Sequence, residues 1–183
     1  MNYSVIYADP PWRYNERKNP STRFGGGAMG HYPTMSLDEL KALNIKDISA
    51  KNAALFLWIT FPRLEQGLEL MKAWGFKYKT LAFSWHKTTK SGKLFFGVGS
   101  YTKSNCEVCL LGTRGRVGIK EAPDKLVVKS HCVSSALNAP IQRHSKKPDI
   151  IRERIVELFG DVSRIELFAR ERFEGWDAWG NEI

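Results

Sequence analysis

An α/β fold with a largely parallel sheet is the architecture this chain predicts, and three features of its sequence point to it. The runs 5–8 and 53–60 are apolar at consecutive positions instead of alternating ones, which is how strands buried on both faces read. Apolar residues then recur at helical spacing, as Leu64, Leu68, Met71 and Trp74 and again as Ile151, Ile155, Leu158 and Phe159. Prolines, glycines and capping residues punctuate these segments.

The first strand, Val5-Ile6-Tyr7-Ala8, ends in Asp9-Pro10-Pro11-Trp12. Asp9 therefore falls at a strand's carboxyl end, the edge of an open α/β sheet where ligands bind. Two prolines would hold the following backbone extended and stiff, and they remove two amide donors. What remains is mainly acceptors: the Asp9 carboxylate and the carbonyls of Pro10 and Pro11. A group with two N–H bonds suits that surface, and the exocyclic amine of adenine is one. Its lone pair is delocalised into the ring, and two fixed acceptors would favour a pyramidal nitrogen aimed at an electrophile. Trp12 would then offer a face for the base, a contact worth roughly 1–3 kcal/mol. The plainer reading is an Asp-Pro-Pro turn closed by a packed tryptophan.

Residues 13–35 have no clear periodicity and include Gly25-Gly26-Gly27 and Gly30. A loop of this length is usually functional or disordered; here Arg13, Arg17, Lys18 and Arg23 could meet phosphates, and Tyr14, Phe24 and Tyr32 bases. Ser36-Leu37-Asp38-Glu39 has capping-box spacing, predicting a short helix to about Leu43. The second strand runs to Trp58 and Thr60, with Trp58 read either as core or as a wall of the pocket, and Gly75 stops the helix after it. Residues 80–87 alternate like a strand before a turn at Lys90-Ser91-Gly92. His86 reads as a satisfied or exposed histidine. Gly97-Val98-Gly99 lacks the third glycine of a dinucleotide fingerprint. Cys106 and Cys109 stand three apart where the strand 108–112 begins, so their sulfurs diverge and no metal site is expected. Glu107 is a polar pocket candidate by position alone. A short strand is expected at 126–128, a helix starting at Lys147-Pro148-Asp149 and ending at Gly160, and a last strand through Ile165, Leu167 and Ala169.

At 183 residues with 43% hydrophobic residues, the chain is expected to form one domain, 1–183, with a real core. No apolar run reaches membrane-spanning length, the sequence opens on a strand, and three cysteines suit a reducing compartment; a soluble, cytoplasmic protein is expected. The net charge of +9 is concentrated in the middle: residues 51–150 hold 17 Lys and Arg against 6 Asp and Glu. Such a surplus suits a polyanionic partner.

The chain resembles the Asp-Pro-Pro-Trp type adenine-N6 methyltransferases, a family that spans small bacterial and phage enzymes and the catalytic subunit of the eukaryotic messenger-RNA adenosine methyltransferase. The likeness runs through residues 7–14, 31–36 (His-Tyr-Pro-Thr-Met-Ser), 55–60, 146–149, 166–170 and 179–182. It implies a Rossmann-like class I methyltransferase domain with circularly permuted motif order, the catalytic strand first and the donor-binding strand last. It implies S-adenosylmethionine as methyl donor, surrounded by Ala8, Asp9, Lys147, Phe168, Arg170, Arg172, Phe173, Asn181 and Glu182. It also implies Asp9, Pro10, Pro11 and Trp12 as the catalytic segment, with Tyr14, Tyr32, Trp58, Trp85 and Lys87 around the acceptor base. The sequence departs from the messenger-RNA enzyme where Arg172-Phe173 replace its His-Asn. By analogy with small prokaryotic members, DNA is favoured over RNA, for a monomer or homodimer of prokaryotic or phage origin. Cytosine-N4 methylation and a catalytically silent nucleic-acid-binding platform stand as alternatives.

Overall fold

A computed structural model of the chain describes residues 2–13, 34–97, 99, 101–118, 120–142, 146–181 and 183. In order, the elements are β1 (Tyr3–Ala8), α1 (Leu37–Lys41), α2 (Ile45–Ile48), β2 (Ser49–Ile59), a 3-10 turn (Phe61–Arg63), α3 (Leu64–Ala73), β3 (Lys77–Thr88), β4 (Cys106–Arg114), β5 (Val117–Gly118), β6 (Leu126–Val127), β7 (Ala136–Pro140), α4 (Ile150–Phe159), β8 (Arg164–Leu167) and β9 (Asp177–Trp179). Seven strands form one sheet in the order β7-β3-β4-β2-β1-β8-β9. β4 runs antiparallel to both its neighbours, and the other pairings are parallel. The fold is thus the mixed α/β class expected, with a mostly parallel sheet of Rossmann-like form.

The consecutive apolar runs follow from helices covering both faces. On one face Ile6, Ala8, Leu55, Leu57 and Ile59 pack with Leu40 of α1, Ile45 of α2, and Leu70, Met71 and Trp74 of the α3 segment. On the other, Val5, Tyr7, Ala54, Phe56 and Trp58 pack with Ile151, Ile155 and Phe159 of α4. Alternation persists, but both alternating sets are apolar.

The capping box forms as expected: Ser36 accepts from the Glu39 amide, and the Glu39 carboxylate accepts from the Ser36 amide. α3 ends at Ala73 with Trp74 as its C-cap, and the chain turns away at Gly75, whose φ of 83° is a left-handed value that suits glycine. α4 starts at Ile150, so Pro148 precedes the helix. Asp149 makes no cap bond there, and its carboxylate pairs with Arg152 and Lys146.

Candidate active site

β1 is the point where the chain's winding reverses. Its next strand, β2, lies on one side and β8 on the other, with Ala8 paired to Leu57 and to Leu167. Strands leaving a common line in opposite directions open a crevice at their carboxyl ends. Asp9 is the first residue past β1 and sits at that crevice, its side chain 24% exposed.

The segment after Asp9 is stiff but bent. The Trp12 amide donates to the Pro10 carbonyl at 2.9 Å, closing a three-residue turn whose centre, Pro11, already has the required φ. The expected extended run is therefore a tight turn. The Pro11 carbonyl accepts from the Met35 amide at 2.8 Å, and the Arg13 amide donates to the Met35 carbonyl at 3.0 Å. Pro10 oxygen keeps one lone pair beyond its turn bond. Trp12 is 6% exposed, and its indole N–H donates to the Trp58 carbonyl at 3.3 Å. A free stacking face at Trp12 is thus not what this packing offers; the ring anchors the turn to β2.

Three charges from three segments of the chain meet beside Asp9. Lys147, just before α4, places its Nζ 2.7 Å from Asp9 Oδ2 and 3.2 Å from Glu107 Oε2. Glu107 of β4 places Oε1 2.5 Å from Lys87 Nζ, at the end of β3. Aromatic rings floor this row: Lys147 Nζ lies 5.5 Å from the Trp58 ring centre and Lys87 Nζ 5.4 Å from that of Trp85. Both tryptophans are core residues, with indole N–H groups donating to Tyr7 Oη and to the Ala139 carbonyl.

Loss of water sets the electrostatics of the row. Burial raises the Asp9 carboxyl above its ordinary range, and the Lys147 ammonium and Arg170 only partly offset this. Burial would also raise Glu107, but Lys147 and Lys87 outweigh it and hold that carboxyl below the usual range. For Lys147 burial pulls downward, and Asp9 and Glu107 together overcome it, so its ammonium is strongly held. Asp9 is consequently a poorly hydrated acceptor in a fixed place, which is the state in which one hydrogen bond exerts most effect.

The end of β8 supplies the other wall. Phe168 has φ 61°, a left-handed conformation unusual for a bulky residue, and its ring meets Trp179 edge-on at 5.3 Å. Strain of this kind gathers at ligand sites. Gly180 approaches the same bend so closely that a Cβ there would lie 2.1 Å from the Ala169 carbonyl oxygen. Lys147 and Arg170 suit an anionic group, and the Phe168 ring an aromatic or apolar one. These donors fit an amino-acid carboxylate joined to a nucleoside, the chemistry of S-adenosylmethionine.

The structure thus brings Ala8, Asp9, Trp58, Trp85, Lys87, Lys147, Phe168 and Arg170 to one edge. Arg172 and Asn181 are exposed beyond it. Phe173 lies under the Arg152 guanidinium, 3.6 Å from ring centre to Cζ. Tyr14, Tyr32 and Glu182 lie outside the described residues. Sequence reasoning placed Glu107 only by position, because its ion-pair partners are remote along the chain. It missed the Arg152–Glu166 pair, bidentate at 2.7 and 2.8 Å and buried beside Tyr7; neither residue has a local signal.

The MT-A70 family matches residues 3–182. The chain belongs to the MT-A70 family. It is 34% identical to the Type II methyltransferase M.MunI of a Mycoplasma species, over 99% of this chain and 78% of that protein. It is 28% identical to human N(6)-adenine-specific methyltransferase METTL4 and 27% identical to the human N(6)-adenosine-methyltransferase catalytic subunit METTL3, in each case over 99% of this chain. The chain spans 37% and 28% of the length of those two human relatives.

Proposed function

We propose that this MT-A70 chain, residues 1–183, acts as one S-adenosylmethionine-dependent methyltransferase unit on adenine N6 in nucleic acid, with DNA as the polymer. The observation that supports this most is Asp9 at the sheet's reversal point, poorly hydrated and held by Lys147. Family membership and relatives named for N6-adenine and N6-adenosine methylation support the same reaction. The greater identity to the bacterial M.MunI favours DNA. Bound S-adenosylmethionine supplies an electrophilic methyl group on its sulfonium.

The chain's own residues do the rest. Asp9 accepts one N–H of the target amine and the spare lone pair of Pro10 the other, so the nitrogen lone pair turns towards the methyl group. The three-residue turn and the Trp12 anchor keep the two oxygens at a fixed spacing. Lys147 and Arg170 would face the donor's carboxylate and Phe168 its nucleoside, and β8, late in the sequence and beside the catalytic strand in space, would serve as the donor strand. Lys87 borders the base, with the Trp58 and Trp85 rings as the buried floor beneath the charged row. After transfer the amine is cationic and loses its proton to solvent, so no separate strong base is needed. No helix among the described residues is long and apolar enough to cross a membrane.

Mass spectrometry of nucleosides after incubation with S-adenosylmethionine and DNA or RNA tests this. N6-methyladenine from DNA is expected. N4-methylcytosine would overturn the base assignment, and donor binding without any product would make the chain a silent platform.

A further inference from the structure

The aromatic and basic residues in the hairpin connection between β3 and β4, 89–105, have no part in the chemistry above. Between Glu69 and Glu107 the sequence holds seven lysines and no acid. Three of these, Lys90, Lys93 and Lys103, lie exposed on the hairpin, together with Phe96 at 54% exposure and a fully exposed Tyr101. Lys103 Nζ stands 5.5 Å from the Phe96 ring centre.

Backbone hydrogen bonds tie the described residues of the hairpin together. The Thr89 amide donates to the Lys93 carbonyl, the Phe95 amide to the Lys87 carbonyl and the Gly97 amide to the Ser104 carbonyl. Its two glycines explain the motif that failed as a dinucleotide fingerprint: a Cβ at Gly97 would meet Ser104 oxygen at 2.8 Å, and one at Gly99 would meet Thr102 oxygen at 2.0 Å. Glycine lets the returning arm close that tightly.

Its position is equally informative. β3 is parallel to the central strands, since both it and β2 run against β4, so the hairpin leaves the same edge as Asp9. Its two feet are Lys87 and Glu107, the outer half of the charged row that ends on Asp9.

Exposed rings amid unopposed lysines match one class of partner. A neutral or basic protein surface gives the lysines nothing to pair with, whereas a nucleic-acid strand offers a phosphate and a π face at every residue. We propose that this hairpin docks the strand flanking the target base, with Phe96 and Tyr101 stacking on bases and Lys90, Lys93 and Lys103 meeting phosphates. The inference rests on the adenine-methylation reading and deepens it.

The test uses the full chain and a fluorescent adenine-containing DNA oligonucleotide, single-stranded and duplex, followed by anisotropy across a salt series. Tyr101→Ala and Phe96→Ala should each weaken binding by about fivefold to a hundredfold, with Tyr101→Trp restoring it. A Lys90→Ser, Lys93→Ser, Lys103→Ser triple variant should reduce the salt slope by about 2 to 3. All these side chains are exposed, so melting temperatures should not move. Unchanged affinity and slope would overturn the proposal. So would lost self-association in sedimentation with oligonucleotide affinity intact, which would make the hairpin a contact between copies. If the wild-type chain methylates adenine while the variants keep its KM, the docking surface alone fails; if it binds through the hairpin but yields no N6-methyladenine, the catalytic reading alone fails.

Discussion

Replacing Lys147 by methionine isolates what one cation does for two carboxylates. The change keeps much of the side-chain volume and removes the charge between Asp9 at 2.7 Å and Glu107 at 3.2 Å. At an effective dielectric of about 20, those contacts are worth about 6 and 5 kcal/mol before desolvation. The ammonium is 6% exposed, so several kcal/mol of lost hydration offset that gain. Breaking a buried pair by removing one partner nets about 3–5 kcal/mol, because the other charge stays buried. For a chain of this size that is a melting temperature lower by about 6–20 °C at neutral pH. The pH dependence has a definite sign. In the wild type, Glu107 is held below 4.5, so its stabilisation is present above that pH and fades as pH falls through the lower folded value. Without Lys147 the Asp9 carboxyl loses its principal cation and Glu107 keeps only Lys87, so both folded values move upward from the wild type and the variant recovers part of its deficit as acid protonates them. The deficit should therefore be largest near neutral pH and shrink towards pH 4 to 5 in thermal denaturation. A loss under about 1 kcal/mol, or one that does not vary with pH, would refute the reasoning.

Three further outcomes follow from the same geometry. Asp9→Asn should lower methyl transfer by about 10²- to 10³-fold and cost less stability than Lys147→Met, about 1–3 kcal/mol, since Lys147 keeps Glu107 at 3.2 Å and the amide oxygen can still accept from it; in the wild type, burial raises Asp9 above 3.8, so the acid limb of kcat/KM should lie above that value, and a retained rate or a limb at 3.8 would count against its role. Gly180→Ala would set a methyl against backbone oxygen at 2.1 Å, so a loss of about 1–3 kcal/mol in urea titration and weaker S-adenosylmethionine binding in calorimetry are expected; no change in either would argue against a rigid bend there. Arg152→Met strands the Glu166 carboxylate and should cost about 3–5 kcal/mol by chemical denaturation, most of it recovered when Glu166→Leu is added; additive losses would contradict a coupled pair.

The strands that pack on both faces were legible because their composition leaves little choice. Val5 to Ala8 and the run around Leu55 have no polar side to turn outward, and Asp9 follows the first of them directly. The segments missed were those whose pairing is decided elsewhere. Ala136–Pro140 has little strand character and becomes β7 through its parallel register against Ser84 to Thr88; Asp177–Trp179 becomes β9 beside β8. The site was legible in the same uneven way. Lys147 could be carried over from a motif, but its grip on Asp9 spans most of the chain. Glu107 could not be ranked above other acids, because what distinguishes it is the convergence of β3, β4 and the approach to α4. Trp12 was read for its chemistry, and the competing demand of core packing took its ring.

The reversed direction of β4 has a consequence for how this architecture can vary. In a sheet running all one way, only strand endings reach the ligand edge; a strand laid in the opposite sense contributes its opening residues, here Glu107 just after Cys106, next to the ending of its neighbour at Lys87. The ladder between them fixes that meeting, and the number of residues strung between the two does not. Closing a longer span costs only about 0.6 kcal/mol per doubling. Descendants could therefore enlarge or recompose this outgrowth to read new targets while the reactive centre stays in register.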